Sequence, residues 1–161
     1  MIRKQEQLDQ VHTIAETIRQ IVWHTHKQSL QTLSRPDIGL TLPQMITLLA
    51  IQDAQVCRMS DLADCTQQSP GTLTGIVDRL IDDKLVERVR DATDRRVVHV
   101  ALTAEGNCRL ARAEAARCED MAHVLAHFNE QQLAEMAPLL QLLLSGVQSV
   151  QHSTPSHERT A

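Results

Sequence analysis

Four arginines gather in one short stretch of the chain, Arg88 and Arg90 followed by Arg95 and Arg96, with Asp94 directly before the second pair. Guanidinium groups at this density suit a polyanion, and a narrow minor groove of duplex DNA attracts arginines inserted into it. Upstream, Gln68, Ser69, Thr72 and Thr74 collect short hydrogen-bonding side chains. Gln can make a bidentate contact to adenine, and Ser and Thr hydroxyls can meet any base edge. Ser69-Pro70 also reads as a helix start, whose free N–H groups suit a phosphate. Glu87, Asp91 and Asp94 stand close to Arg88 and Arg90, so surface ion pairs are the competing reading for those two arginines. Arg79 is expected to pair with Asp83 one helical turn on.

Two other chemistries are on offer. His123 and His127 are four residues apart, with Glu119 and Asp120 a turn earlier, which predicts a shared helix face and a possible metal edge. The glutamate of an H-E-x-x-H motif is missing, and no second ligand-bearing helix is identifiable. A metal-dependent helical enzyme or a metal sensor using this pair is therefore the alternative, and catalysis and cofactors are not expected. Cys57 precedes the short run MSDLADCT and Cys65 lies near its end, where oxidation would disturb whatever that run positions. Asp61 and Asp64 nearby would raise a thiol pKa there, which favours inert thiols.

The elements that must hold these groups are mostly helices. In 161 residues there are five Gly and five Pro, too few for a turn-rich all-β chain, and one Trp, one Phe and no Tyr. Leu8, Val11, Ile14, Ile18, Ile21, Val22, Leu30 and Leu33 mark one face of a long helix ending near Ser34. Thr41 caps a second helix with Pro43 in its first turn, and Ser60 is expected to open a third, SDLADCT. After Thr66-Gln67-Gln68, the helix opened by Ser69 shows Leu73, Ile76, Val77 and Leu80 at spacings of three and four. The period then changes to alternation between Leu85 and Thr103, which predicts a β-hairpin with Arg95 and Arg96 at its tip and no other strand pair. Thr103 returns the chain to helix until about His127. Asn129 with Gln132 forms a capping box for a last helix, in which Pro138 predicts a kink.

Two helices joined by a short turn and followed by a hairpin make a winged helix-turn-helix, whose second helix fits a major groove about 12 Å wide. The fold class expected is mainly α with a small β-hairpin wing, flanked by N- and C-terminal dimerisation helices. Its parts are a dimerisation helix over 1–36, the winged region over 41–102, dimerisation helices over 103–150, and a disordered tail over 151–161. The homodimer is expected because Leu139, Leu140, Leu142, Leu143 and Leu144 cover most of one helix's circumference.

The net charge of −4 speaks against a generic polyanion binder, but its location changes that. Residues 69–109 sum to zero and 110–161 to −3, so the acid lies mostly away from the arginine-bearing hairpin. No run of about 18 apolar residues and no N-terminal apolar stretch is present, which predicts a cytoplasmic chain with no membrane contact.

The stretch MSDLADCTQQSPGTLTGIVDRLIDDKLVERVRDATDRRVVHVALTAEG resembles the MarR-type winged-helix transcriptional regulators, through IVDRL before LVER and through Asp94-Arg95-Arg96 before Leu102-Thr103. The resemblance implies a homodimer on a pseudo-palindromic operator of double-stranded DNA, usually a repressor released by a small molecule or other signal. It implies that Arg96 reaches into the minor groove while Asp94 braces the wing, and that an effector binds near the dimerisation helices, for which Trp23, His26 and Met45 are candidates. Two departures stand out. Pro70, Gly71 and Gly75 lie where the family often carries Arg or Lys, and Lys84 replaces the Gly that commonly ends the recognition helix.

Overall fold

The computed structural model describes residues 2–90 and 98–153. Its elements run α1 (Ile2–Leu33), α2 (Leu42–Ala54), β1 (Cys57–Arg58), α3 (Met59–Thr66), α4 (Pro70–Asp82), β2 (Val86–Arg90), β3 (Val98–Leu102), α5 (Ala104–Leu125) and α6 (Glu130–Ser153). This is a mainly α chain with a small antiparallel sheet. It divides into two compact units, Met1–Cys118 and Glu119–Ala161.

The helix starts follow from local hydrogen bonding. Thr41 Oγ1 accepts from the Gln44 N–H at 3.4 Å while Gln44 Oε1 accepts from the Thr41 N–H at 2.8 Å, a full capping box. Asn129 and Gln132 form the same reciprocal pair at 2.9 and 3.0 Å ahead of α6. The third helix departs from expectation. It begins at Met59, with Arg58 as a cap that makes no side-chain bond, and the Ser60 hydroxyl turns to Asp61 instead. The α6 helix runs through Pro138 and on to Ser153, past the expected start of the tail. Residues 154–161 lie outside those described.

The first unit is organised around α2, whose Met45, Leu48 and Ile51 are sealed among Leu62, Leu73, Val77, Leu80, Leu85, Val100 and Leu110. Burying each such aliphatic side chain contributes roughly 1.5–3 kcal/mol before chain entropy is counted. The sheet has the order β1-β3-β2. The β2–β3 hairpin pairs Val86 with Leu102 and Arg90 with Val98, as the alternating pattern predicts. The strand β1, which pairs Cys57 with Val100, corrects the expectation of a single strand pair.

The corner between α4 and α5 is tight. Lys84 stands at φ +60°, supplying with a side-chain-bearing residue the left-handed ending that a Gly commonly provides. Thr103 Oγ1 donates to the Lys84 carbonyl at 2.7 Å and accepts from the Gly106 N–H at 2.9 Å. A β-carbon at Gly106 would sit 1.9 Å from the Leu85 carbonyl oxygen, so only glycine allows α5 to begin here. From the same helix, Arg109 Nη1 donates to the Ile38 carbonyl at 3.1 Å and its other nitrogens hold Glu105, which ties α5 to the α1–α2 connection.

Much apolar surface stays uncovered in the single chain. On α1, Val11, Ile14, Ile21, Val22 and Trp23 are exposed, and on α6 so are Leu139, Leu142, Leu143, Val147 and Val150. Within Glu130–Val150 an 18-residue window reaches a mean hydropathy of 1.3, which by length and composition alone suffices to cross a membrane although polar residues interrupt every apolar run.

Candidate nucleic-acid interface

The turn between α3 and α4 is built without glycine. Gln67 takes the left-handed conformation (φ 56°, ψ 31°), and its N–H and that of Gln68 fold back onto the last carbonyls of α3. Ser69 then enters as an extended N-cap (φ −64°, ψ 146°) whose Oγ accepts from the Thr72 N–H at 3.2 Å, and Pro70 occupies the first helical position. Leu73, Val77 and Leu80 point into the core at 1% exposure or less. The opposite face, with Ser69, Gly71, Thr72, Thr74, Gly75, Asp78 and Arg79, is open to solvent.

Hydrogen bonding on this face fixes what each hydroxyl can offer. Thr74 Oγ1 donates to the Pro70 carbonyl at 2.8 Å, so it is left as an acceptor, suited to an amino group of adenine or cytosine, with its methyl free for thymine. Ser69 Oγ and Thr72 Oγ1 lie 2.8 Å apart and share one proton bridge, which leaves one donor between them. Gln68 is placed differently from its expected role. Its Oε1 is buried without a hydrogen-bond partner, so a bidentate contact to adenine requires the amide to swing out of the turn.

On the wing, Arg88 Nη2 lies 2.6 Å from Asp78 Oδ1 on α4. Among the described residues the partner of Arg88 is Asp78, ten residues away in sequence, and not the adjacent Glu87; Asp91 lies outside those residues. Asp94, Arg95 and Arg96 lie outside the described residues. The expected Arg79–Asp83 pair is not among the ion pairs of the described residues. The Asp83 N–H instead closes the helix on the Arg79 carbonyl at 2.9 Å.

The remaining candidates separate. Cys57 is buried in β1, where burial first and then Asp61 and Cys65 push its thiol pKa up, so it is a poor thiolate and poorly reachable by an oxidant. Cys65 is exposed on α3. His123 lies in the last turn of α5, but that helix ends at Leu125 and His127 falls in the turn beyond, so the expected shared helix face does not form. Among the described residues no three His, Cys, Asp or Glu side chains come together as a metal site. Trp23 and His26 are exposed on α1, whereas Met45 is 1% exposed inside the first unit's core and walls no ligand surface in this chain. Its sulfur accepts from Arg117 Nη1 at 3.6 Å.

A family model described as the MarR family matches residues 38–97, which spans α2, β1, the helix-turn-helix and β2. This winged segment belongs to the MarR family. Among curated relatives of this chain is MdtR of Bacillus subtilis, an HTH-type transcriptional repressor, 28% identical over 99 residues that make up 62% of this chain and 64% of MdtR. NicR of Pseudomonas putida, also an HTH-type transcriptional repressor, is 39% identical over 70 residues, 44% of each chain. This chain thus spans less than two thirds of either repressor. The solved structure of a MarR family protein from Bacillus stearothermophilus matches with a TM-score of 0.77 at 23% identity, covering 86% of this chain and 95% of that one, a likeness of fold.

The residues that sequence reasoning missed are Asp78, Gly106 and Arg109. Asp78 stood inside the quoted IVDRL, yet its partner is set by how the wing packs beside α4. Gly106, three residues after the Thr103 cap, was the one visible signal that α5 starts under steric pressure.

Proposed function

We propose that this chain is a sequence-specific, double-stranded DNA-binding transcriptional regulator, a repressor that acts as a homodimer on a pseudo-palindromic operator and is released by a small molecule or another signal. It works in the cytoplasm, is not an enzyme and needs no cofactor. The observation that carries this reading is α4 itself: a helix anchored in the core on one side, with a capped, polar, solvent-facing start beside a wing strand bearing Arg88. Ser69, Thr72 and Thr74 read base edges, Gln68 joins them if its amide turns outward, and Arg88, Arg95 and Arg96 supply phosphate and minor-groove contacts, with Asp94 bracing the wing. That MdtR and NicR are repressors supports the sign of regulation.

The uncovered rows on α1 and α6 support the dimer, because contiguous apolar surface of this kind marks an interface. In this reading, residues 1–36 and 103–150 make the dimer and 41–102 the reading head. Trp23 and His26 remain the effector candidates on α1, and Met45 acts only through the core. A gel shift with the DNA upstream of the chain's own coding region tests the proposal. We expect a Kd of about 10⁻⁸ M or tighter with a steep salt slope, and an Arg96→Ala variant weakened on every duplex. Equal affinity for operator and random duplex would remove the reading.

A further inference from the structure

The exposed row of α4 continues past its uncharged start. Gly71, Thr74, Gly75 and Asp78 follow at spacings of three and four, so the carboxylate of Asp78 belongs to the same face as the base-reading hydroxyls. A carboxylate on the face that enters a groove lined by phosphates is unfavourable unless something neutralises it. Arg88 does so, with Nη2 2.6 Å from Oδ1, and the two side chains remain 58% and 51% exposed. An exposed pair of this kind is held loosely enough for a phosphate to displace the carboxylate.

We propose that Asp78 is a selectivity residue that suppresses binding to non-operator DNA, an inference that rests on the DNA-binding reading above. In the free chain Asp78 occupies Arg88. To use Arg88 on a phosphate, the chain must give up the pair and leave a bare carboxylate beside the backbone. Binding to random duplex is made almost wholly of phosphate contacts, so nothing there offsets that loss. On an operator that presents a cytosine amino group to α4, Asp78 accepts from N4 and the loss is recovered. The Ser69–Gly75 stretch is the other half of the same device, since it carries no charged side chain and its hydroxyls act through directed hydrogen bonds.

The test measures affinity across a salt series for a duplex enriched by the wild-type chain from a random-sequence pool, and for a scrambled duplex of equal length and composition. Asp78→Asn is expected to bind the scrambled duplex about fivefold tighter, the upper end of what releasing an exposed pair gives. Its salt slope on that duplex should steepen by about 0.9, one further phosphate contact. Affinity for the enriched duplex should rise less or fall, so that the specificity ratio drops. Asp78→Glu should restore the wild-type ratio, and Asp78→Asn combined with Arg88→Gln should lose the gain on scrambled DNA. A proportional loss on both duplexes together with a lower Tm would make Asp78 a structural brace and overturn the proposal, as would an unchanged salt slope. A wild-type chain that enriches no duplex removes the DNA-binding reading and this inference with it, whereas normal enrichment with an indifferent Asp78→Asn overturns this inference alone.

Discussion

Helices α4 and α6 are both rich in large aliphatic side chains, and they use them in opposite ways. In α4, Leu73, Val77 and Leu80 form a narrow stripe that the first unit hides to 1% exposure or less. In α6, Leu139 is 66% exposed and Leu142 72%, and the apolar residues wrap around most of the helix. The first helix is stabilised by the chain's own core and can afford a polar outer face. The second is apolar without an intramolecular reason, which gives it meaning only against another surface. In the function proposed above, α4 serves reading and α6 serves assembly.

The sharpest way to break that contrast is to place the same charge in both. Val77→Glu puts a carboxylate into a site with no partner, which destabilises the first unit by about 4 kcal/mol or more. Urea unfolding followed by circular dichroism should show the cooperative transition shifted far toward zero denaturant or lost. A near-normal midpoint would mean that the α4 stripe is not a core stripe. In α6, Leu143→Glu combined with Val147→Glu should leave the helical signal in place and reduce the particle in light scattering to the 18.0 kDa of one chain. If the mass stays that of a dimer, the α6 row is not the seam and the apolar row of α1 takes that role.

Gly106→Ala probes the contact that fixes where α5 leaves the winged region. The added carbon would overlap the Leu85 carbonyl at 1.9 Å, and backbone on both sides prevents an easy escape. A loss of about 3 kcal/mol is expected, at the upper end for forced overpacking, read as a lower urea midpoint with an unchanged slope. A stability within experimental error of the wild type would show that this corner is not packed as described.

How far these features could be read from sequence depends on how local their causes are. The caps at Thr41, Ser69 and Asn129 need only three consecutive residues beyond themselves, and all three form. The missing glycine at Lys84 was legible for the same reason, since either one residue without glycine's freedom takes the left-handed ending or the helix ends otherwise, and Lys84 takes it. The strand β1 was not legible, because two residues carry no period and its partner β3 lies some forty residues on. Arg88 shows the limit of proximity in sequence, because its partner among the described residues, Asp78, approaches from α4, ten residues away. The burial of Met45 and the place of His127 beyond α5 were not legible for a related reason, since exposure and helix ends are set by tertiary packing that an i, i+4 count does not contain.

The smallest expected effect separates reading from stability within α4 itself. Gly75 lies on the exposed face, and a β-carbon there meets nothing within 4 Å. Glycine inside a helix is destabilising by about 1 kcal/mol relative to alanine, so Gly75→Ala should raise stability by that amount, a Tm gain of about 2–4 °C for a chain of this size. The added methyl also stands in the row between Thr74 and Asp78, where in the proposed function the helix approaches base edges. Operator affinity should therefore fall although the fold gains, and Gly71→Ala, equally unobstructed and one turn earlier, gives the same pair of readings nearer the phosphates. A variant that gains both stability and affinity would mean that this face of α4 does not enter a groove closely, and that the polar row serves solubility instead of recognition.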